Sequence, residues 1–184
     1  VLAFGEFHSV RALSKNRADP EHASRPFDKD RDGFILALAE AGAVVVETLQ
    51  HAQERGANIL AVIPTVGKGS DAHPDSNTEM VTERVSRLIN KTMRRIYPQE
   101  MEQDENGEIV IFPHATSTPP GDFAEAIAYI NSLLGGGIIR GTTYLTAGKG
   151  RRGHSLGAAG IQTFISGLHT VVTGWVPPTL NLET

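Results

Sequence analysis

The stretch Lys149-Gly-Arg-Arg-Gly-His-Ser-Leu-Gly-Ala-Ala-Gly160 decides how the rest of the chain is read. It brings a lysine and a histidine to a glycine-flanked turn, then runs through small residues into an apolar segment, residues 161–172, that reads as a helix. A histidine placed there meets the positive end of the helix, where free N–H groups favour a neutral imidazole and any anion facing it. Small residues let that helix lie close against another backbone. Alone, Gly-His-Ser-Leu-Gly fits a structural histidine as readily as a chemical one.

A second histidine narrows the choice. His114 follows the apolar run Glu108-Ile-Val-Ile-Phe112 and opens His-Ala-Thr-Ser-Thr-Pro-Pro-Gly-Asp122. It stands at the exit of a predicted buried strand, the end at which α/β proteins commonly place their sites. Two further segments complete the set: Arg25-Pro-Phe-Asp-Lys-Asp-Arg-Asp-Gly-Phe34 and Pro177-Pro-Thr-Leu-Asn-Leu-Glu183. In order and spacing these four motifs resemble the β-ketoacyl-acyl-carrier-protein synthases, the condensing enzymes of the thiolase-like superfamily. The resemblance implies an α/β, layered αβαβα fold with a mixed sheet and helices on its faces. Residues 1–184 would form a single, partial domain of that kind, mostly the C-terminal half.

Composition bounds the alternatives. At 184 residues the chain can bury one substantial core. A net charge of -4 with 21% charged residues gives no support to a phosphate-backbone binder, so no nucleic-acid partner is expected. The absence of cysteine excludes disulfides, thiolate metal sites and a cysteine nucleophile within these residues. No apolar run approaches the roughly 20 residues of a membrane-spanning helix, and the N-terminus does not read as a secretory signal. A cytoplasmic or organellar protein, not a secreted one, is the expectation. The chain begins at Val1 rather than Met, which points to processing or to a piece of a longer polypeptide.

Along the chain, residues 1–14 read as a short helical stretch and residues 15–33 as an ordered, charge-rich loop. Within that loop Asp28, Asp30, Asp32 and Gly33 imitate the opening of a calcium-binding loop. The closing glutamate position falls on Ala39, however, and Pro26 makes a poor incoming helix, so a salt-bridged turn into a strand hairpin is the better reading and no metal is expected. Residues 34–39, 43–47 and 59–66 read as strands, with Pro64 arguing for an edge or a bulge, and Thr48 to Arg55 as a helix closed by Gly56. Ser76-Asn-Thr-Glu79 reads as a capping box for a helix whose apolar face carries Met80, Val81, Val85, Leu88, Ile89, Met93 and Ile96. Its opposite face carries Arg84, Arg87, Lys91, Arg94 and Arg95, a stripe that suits solvent or an acidic carrier protein. Residues 99–107 form an acidic turn. Asp122 is placed to cap a helix to about Leu134, which Gly135-Gly-Gly137 stops, and residues 142–146 form the strand that feeds the Lys149 turn.

The resemblance assigns roles residue by residue. His114 and His154 match the two family histidines that assist loss of carbon dioxide from a malonyl thioester, and Lys149 matches the lysine beside the second of them. Thr116 and Thr118 match the threonines that hydrogen-bond the pantetheine arm. Asp122 and Glu125 match acidic residues that brace the site from behind, and for this pair a structural role is expected. No cofactor is implied beyond substrates carried on the phosphopantetheine of an acyl carrier protein, the expected partner.

Departures weigh on the other side. The family's nucleophilic cysteine has no counterpart, and the half of the fold that bears it would precede Val1. Phe112-Pro113 stands where relatives commonly have Asn-Ala, and Gly150-Arg-Arg152 replaces small or apolar residues beside the site, adding two guanidiniums. Condensation by this chain alone is therefore not expected, since no thiol is present to hold the acyl group. The alternative is a degenerate synthase serving as a structural subunit of a larger, organellar assembly; the Ala115 form of the motif and Gly174-Trp175 are similar to plastid and mitochondrial synthases. Either way, a homodimer or a hetero-assembly would cover faces that a half-fold leaves bare.

Overall fold

A computed structural model describes residues 2–37, 40–70, 82–96, 108–133 and 142–183. The capping box at 76–79, the acidic turn at 99–107 and the glycine stop at 135–137 lie outside the described residues.

The frame of the site is a strand, helix, strand unit. β1 (Glu108–Ile111) pairs in parallel with β2 (Thr142–Leu145), in the register Glu108 to Thr142 through Ile111 to Leu145. Parallel neighbours need a crossover connection, and α4 (Pro119–Leu133) lies within it. The helix starts earlier than Asp122: Pro119 occupies its first turn, where a missing N–H costs nothing. Asp122 is thus not the cap but a first-turn residue, and its carboxylate turns back to the preceding loop. α3 (Thr82–Ile96) packs against α4, with Ser86 Oγ donating to Ala128 O at 3.4 Å and Ser132 Oγ to Ser86 O at 3.2 Å. Arg87, Lys91, Arg94 and Arg95 on α3 face solvent.

The predicted strands upstream of α3 form only in part. Residues 34–37 are stitched on both sides by single bridges, Leu13 with Phe34 and Leu36 with His154, rather than by a continuous ladder. Residues 43–47 and 59–66 have no strand pairing among the described residues, and Val45 is 92% exposed. Apolar runs supply strand propensity, but a strand exists only where a neighbour accepts its ladder, and none does here. The predicted helix at 48–55 does form as α2 (Leu49–Glu54), with the Thr48 hydroxyl accepting from His51 N at 3.2 Å. The N-terminal stretch is helical as α1 (Leu2–Ser9).

The four sequence motifs are joined by backbone-directed bonds from buried polar side chains. Asp28, fully buried, pairs with Arg25 Nε at 2.9 Å and accepts from Asp30 N and Glu183 N, each at 2.9 Å, which ties the 25–34 loop to the last motif. The salt-bridged turn read from the sequence is present, but the strand hairpin expected after it is not formed among the described residues; Asp32 serves Ser14 and Lys15 instead. Among the described residues, no group of three or more histidines, aspartates or glutamates is placed to hold a metal ion. Asn181 Nδ2 donates to Glu21 O and Ser24 O at 2.9 Å, and Gly33 N donates to Ser117 O at 2.9 Å. Gly33 has φ +146°, and a Cβ there would meet Ala12 O and the Leu13–Ser14 peptide at 2.6 Å, so glycine is required for the close crossing. None of the described helices is long and apolar enough to cross a membrane.

Candidate active site

α5 (Lys149–Arg152) follows β2 directly, and its first residue is 6% exposed, an unusual depth for a lysine. The turn seats closely: a Cβ on Gly150 would stand 2.6 Å from Leu180 O and 3.2 Å from Pro26. Ser24 Oγ adds a bond to Lys149 O at 2.8 Å. From this anchored position Lys149 Nζ donates to the carbonyl of His114 and lies 3.5 Å from His114 Nδ1. The Lys149 ammonium lies below its usual pKa range because burial disfavours its charge, while Glu125 and Asp122 oppose that shift.

His154 is held by its backbone between two strand-like partners, its N–H donating to Ile35 O at 2.7 Å and its carbonyl accepting from Ala37 N at 3.1 Å. Its ring meets Phe34 edge-on at 5.0 Å and His114 edge-on at 5.2 Å. The N–H of Leu156, in the 3₁₀ turn that leads into α6 (Ala159–Thr173), donates to His154 Nδ1 at 3.1 Å. An amide donor at Nδ1 assigns the acceptor role to that atom and leaves the proton on Nε2. A Lys149 ammonium at His114 Nδ1 selects the same tautomer on the other ring. Both imidazoles then keep Nε2–H as the donor free for a ligand.

Burial, and then neighbouring charge, favour this neutral state. Burial, then Lys149, then His154 lowers His114 to about 4, and burial followed by Lys149 lowers His154 to about 4. His114 is exposed, so solvent weakens the shift at that ring, whereas His154 is buried and keeps it. An unfolded chain would protonate both rings near 6.5, so unfolding takes up protons as pH falls from 6.5 toward 4. Stability from these groups is complete above that window and is lost through it. Asp122, raised to about 6 by burial against the pull of Phe27 N, Arg31 and Ser117 N, works in the opposite sense over part of the range. The difference between wild type and His154→Gln isolates one ring: wild-type stability should fall with acid more steeply, by about 1.4 kcal/mol per pH unit at most, the value of one proton. Denaturant titrations at pH 7, 6 and 5 with parallel slopes for the two proteins would contradict the neutral, enclosed His154.

The loop after β1 is held by the two carboxylates of α4. Glu125 accepts His114 N at 2.6 Å and Ala115 N at 2.7 Å, and Tyr129 donates its hydroxyl to the same carboxylate at 3.2 Å. Asp122 accepts Ser117 N at 3.0 and 3.1 Å and Phe27 N at 2.8 Å, with Arg31 Nε 3.9 Å away. Ala115 (φ 40°) and Ser117 (φ 67°) sit in the left-handed region, a strained conformation that these anchors hold in place. Thr116 and Thr118 face each other, their hydroxyl oxygens 3.0 Å apart.

The structure thus gathers His114, Lys149 and His154 at one point, with Asp122 and Glu125 behind them and the threonine pair beside them. Tyr129 and Phe34 were not singled out by their motifs as site neighbours. The first had a signal, since a tyrosine four residues after Glu125 shares its helix face; the second is brought to His154 by long-range pairing that spacing does not reveal.

Comparison with known proteins shows the family and the fold. The family model described as Beta-ketoacyl synthase, C-terminal domain, matches residues 60–183. The chain is 38% identical over 185 residues to 3-oxoacyl-[acyl-carrier-protein] synthase 2 of Coxiella burnetii, covering 99% of this chain and 42% of that protein. It is 36% identical to the chloroplastic 3-oxoacyl-[acyl-carrier-protein] synthase I of Arabidopsis thaliana, covering 98% of this chain and 36% of that one. Among solved structures, the ishigamide ketosynthase/chain length factor superposes with a TM-score of 0.78 at 30% identity, over 99% of this chain and 40% of that one. The fold is that of the ketosynthases. This chain belongs to the β-ketoacyl synthase family, and it spans about two fifths of the length of these relatives.

Proposed function

We propose that this chain supplies the decarboxylating histidine pair of a β-ketoacyl-acyl-carrier-protein synthase of fatty-acid synthesis. The observation that supports it best is the pair of imidazoles in edge contact, each with Nδ1 engaged by a donor, an arrangement that leaves Nε2 to carry the proton. Two such donors suit the carbonyl oxygen of a malonyl thioester, where negative charge grows as the bond to the carboxylate breaks and carbon dioxide leaves. The enolate carbon then attacks an acyl thioester carbonyl, and the acyl group's thiolate departs. Lys149, held to the His114 carbonyl, orients the first histidine and keeps its Nδ1 unprotonated.

Thr116 and Thr118, whose hydroxyls pair at 3.0 Å, would serve as hydroxyl partners for a pantetheine arm delivered by the acyl carrier protein. A cavity of about 690 Å³ has Phe34, Leu13, Ile35 and Leu36 in its wall together with Arg11, Lys15 and Arg17; none of His114, Lys149 and His154 lines it. The sequence contains no cysteine, so the thiol that holds the growing acyl chain belongs to a residue outside these 184 or to another subunit.

The test uses the whole polypeptide that carries this chain, incubated with malonyl-acyl-carrier protein labelled in its free carboxylate and with no acyl acceptor. Label should leave as carbon dioxide, with acetyl thioester accumulating in equal amount. A folded protein that releases no carbon dioxide sinks the reading and favours the structural-subunit alternative.

A further inference from the structure

We infer that Arg151, Arg152 and Thr163 form a binding site for a single phosphate group, separate from the histidine pair. The three line a small cavity of about 70 Å³ together with Phe112, Gly148 and Ser166. A space of that order exceeds the roughly 10–15 Å³ that one water needs and admits a small oxyanion.

The lining supplies donors and no carboxylate. Arg152 is fixed by donating to Ser166 Oγ at 3.1 Å, and the Ser166 proton is already committed to Gln162 O at 2.9 Å. Arg151, an exposed side chain, donates to Pro178 O at 3.4 Å and stands over the Trp175 ring at 5.9 Å. Each guanidinium has five N–H donors, so most remain unused. Among the described residues neither arginine has a carboxylate partner within ion-pair distance, and the Thr163 hydroxyl makes no hydrogen bond. One held fork, Arg152, a second guanidinium, Arg151, and a hydroxyl reach the space from α5 on one side and α6 on the other. A planar carboxylate is satisfied by one fork, whereas donors converging from separate walls suit a tetrahedral oxyanion.

Occupancy would be felt at the active site. A second, smaller recess joins Arg152, Gly148 and Thr163 to Lys149. After burial, the positive charge of Arg152 adds to the depression of Lys149. An anion against Arg152 offsets that charge and strengthens the Lys149 ammonium.

The experiment titrates the whole polypeptide, by calorimetry, with inorganic phosphate, with phosphopantetheine and with acetate, each at matched ionic strength in chloride. Saturable binding of inorganic phosphate, weakened at least tenfold in Arg152→Gln and about threefold in Thr163→Val, is the expected result. Saturable binding of phosphopantetheine alone, lost in the same variants, also supports the site and identifies an esterified phosphate as its occupant. The isosteric Thr163→Val variant removes a hydroxyl without a partner, so it tests the site even if Arg152→Gln does not fold. The inference is overturned by acetate binding as tightly as phosphate, by no saturable binding of either phosphate, or by affinities unchanged in every folded variant.

Discussion

Exchanging His154 for alanine is expected to lower the rate of malonyl-thioester decarboxylation by about 10²- to 10³-fold, the usual cost of removing one preorganised donor from a developing oxyanion. The magnitude follows from how the ring is held. Its Nδ1 is taken by the Leu156 N–H, its faces are confined by Phe34 and His114, and its backbone is bonded on both sides to residues 35 and 37. Little of the donor's orientation has to be found during the reaction, so nearly all of its contribution is lost with the ring. The backbone bonds do not depend on the side chain, and the variant should fold with a modest loss for the vacated space beside Phe34. The rate constant should therefore fall while KM for the malonyl carrier changes little, because the hydrogen bond strengthens only as charge develops. A variant that keeps more than a tenth of the wild-type rate would remove His154 from the reacting centre.

Legibility differed with the kind of information each element needs. α3, α4 and α6 were readable because apolar spacing and helix stops are local, and β1 with β2 because short apolar runs led directly into the histidine and lysine motifs. The convergence of His114, Lys149 and His154 was readable from the order of four motifs together. Residues 43–47 and 59–66 misled, since their composition suits a strand while pairing depends on a neighbour that composition does not name. Asp122 misled by one turn: an aspartate before an apolar run is a good cap, but Pro119 starts the helix and frees the carboxylate for Ser117 and Phe27. The Glu125 bonds to two successive amides were beyond reach, because they depend on the left-handed conformation of Ala115, a residue type that does not advertise it.

Glu125→Ala is the substitution expected to cost the fold most, about 3 to 5 kcal/mol by analogy with breaking a buried charged contact. Glu125 is 4% exposed, and its carboxylate serves the amides of His114 and Ala115 and the hydroxyl of Tyr129. Alanine leaves all three donors facing a space with no acceptor. Glu125→Gln keeps one acceptor oxygen but turns an NH₂ toward a donor, so its cost should be smaller. Tyr129→Phe removes one donor and leaves the carboxylate two, which should cost about 1 kcal/mol. Denaturant midpoints at constant slope should rank the three in that order, and an alanine variant within 0.5 kcal/mol of wild type would refute the anchoring role. The cost to function should exceed the cost to stability in the Gln variant. Positive φ at Ala115 and Ser117 is strain of about 1 to 3 kcal/mol at each residue, stored only while these carboxylates hold the loop. Once one grip loosens, the loop can relax and carry His114 away from Lys149 and His154, so a protein that still folds would lose the donor pair on which decarboxylation depends.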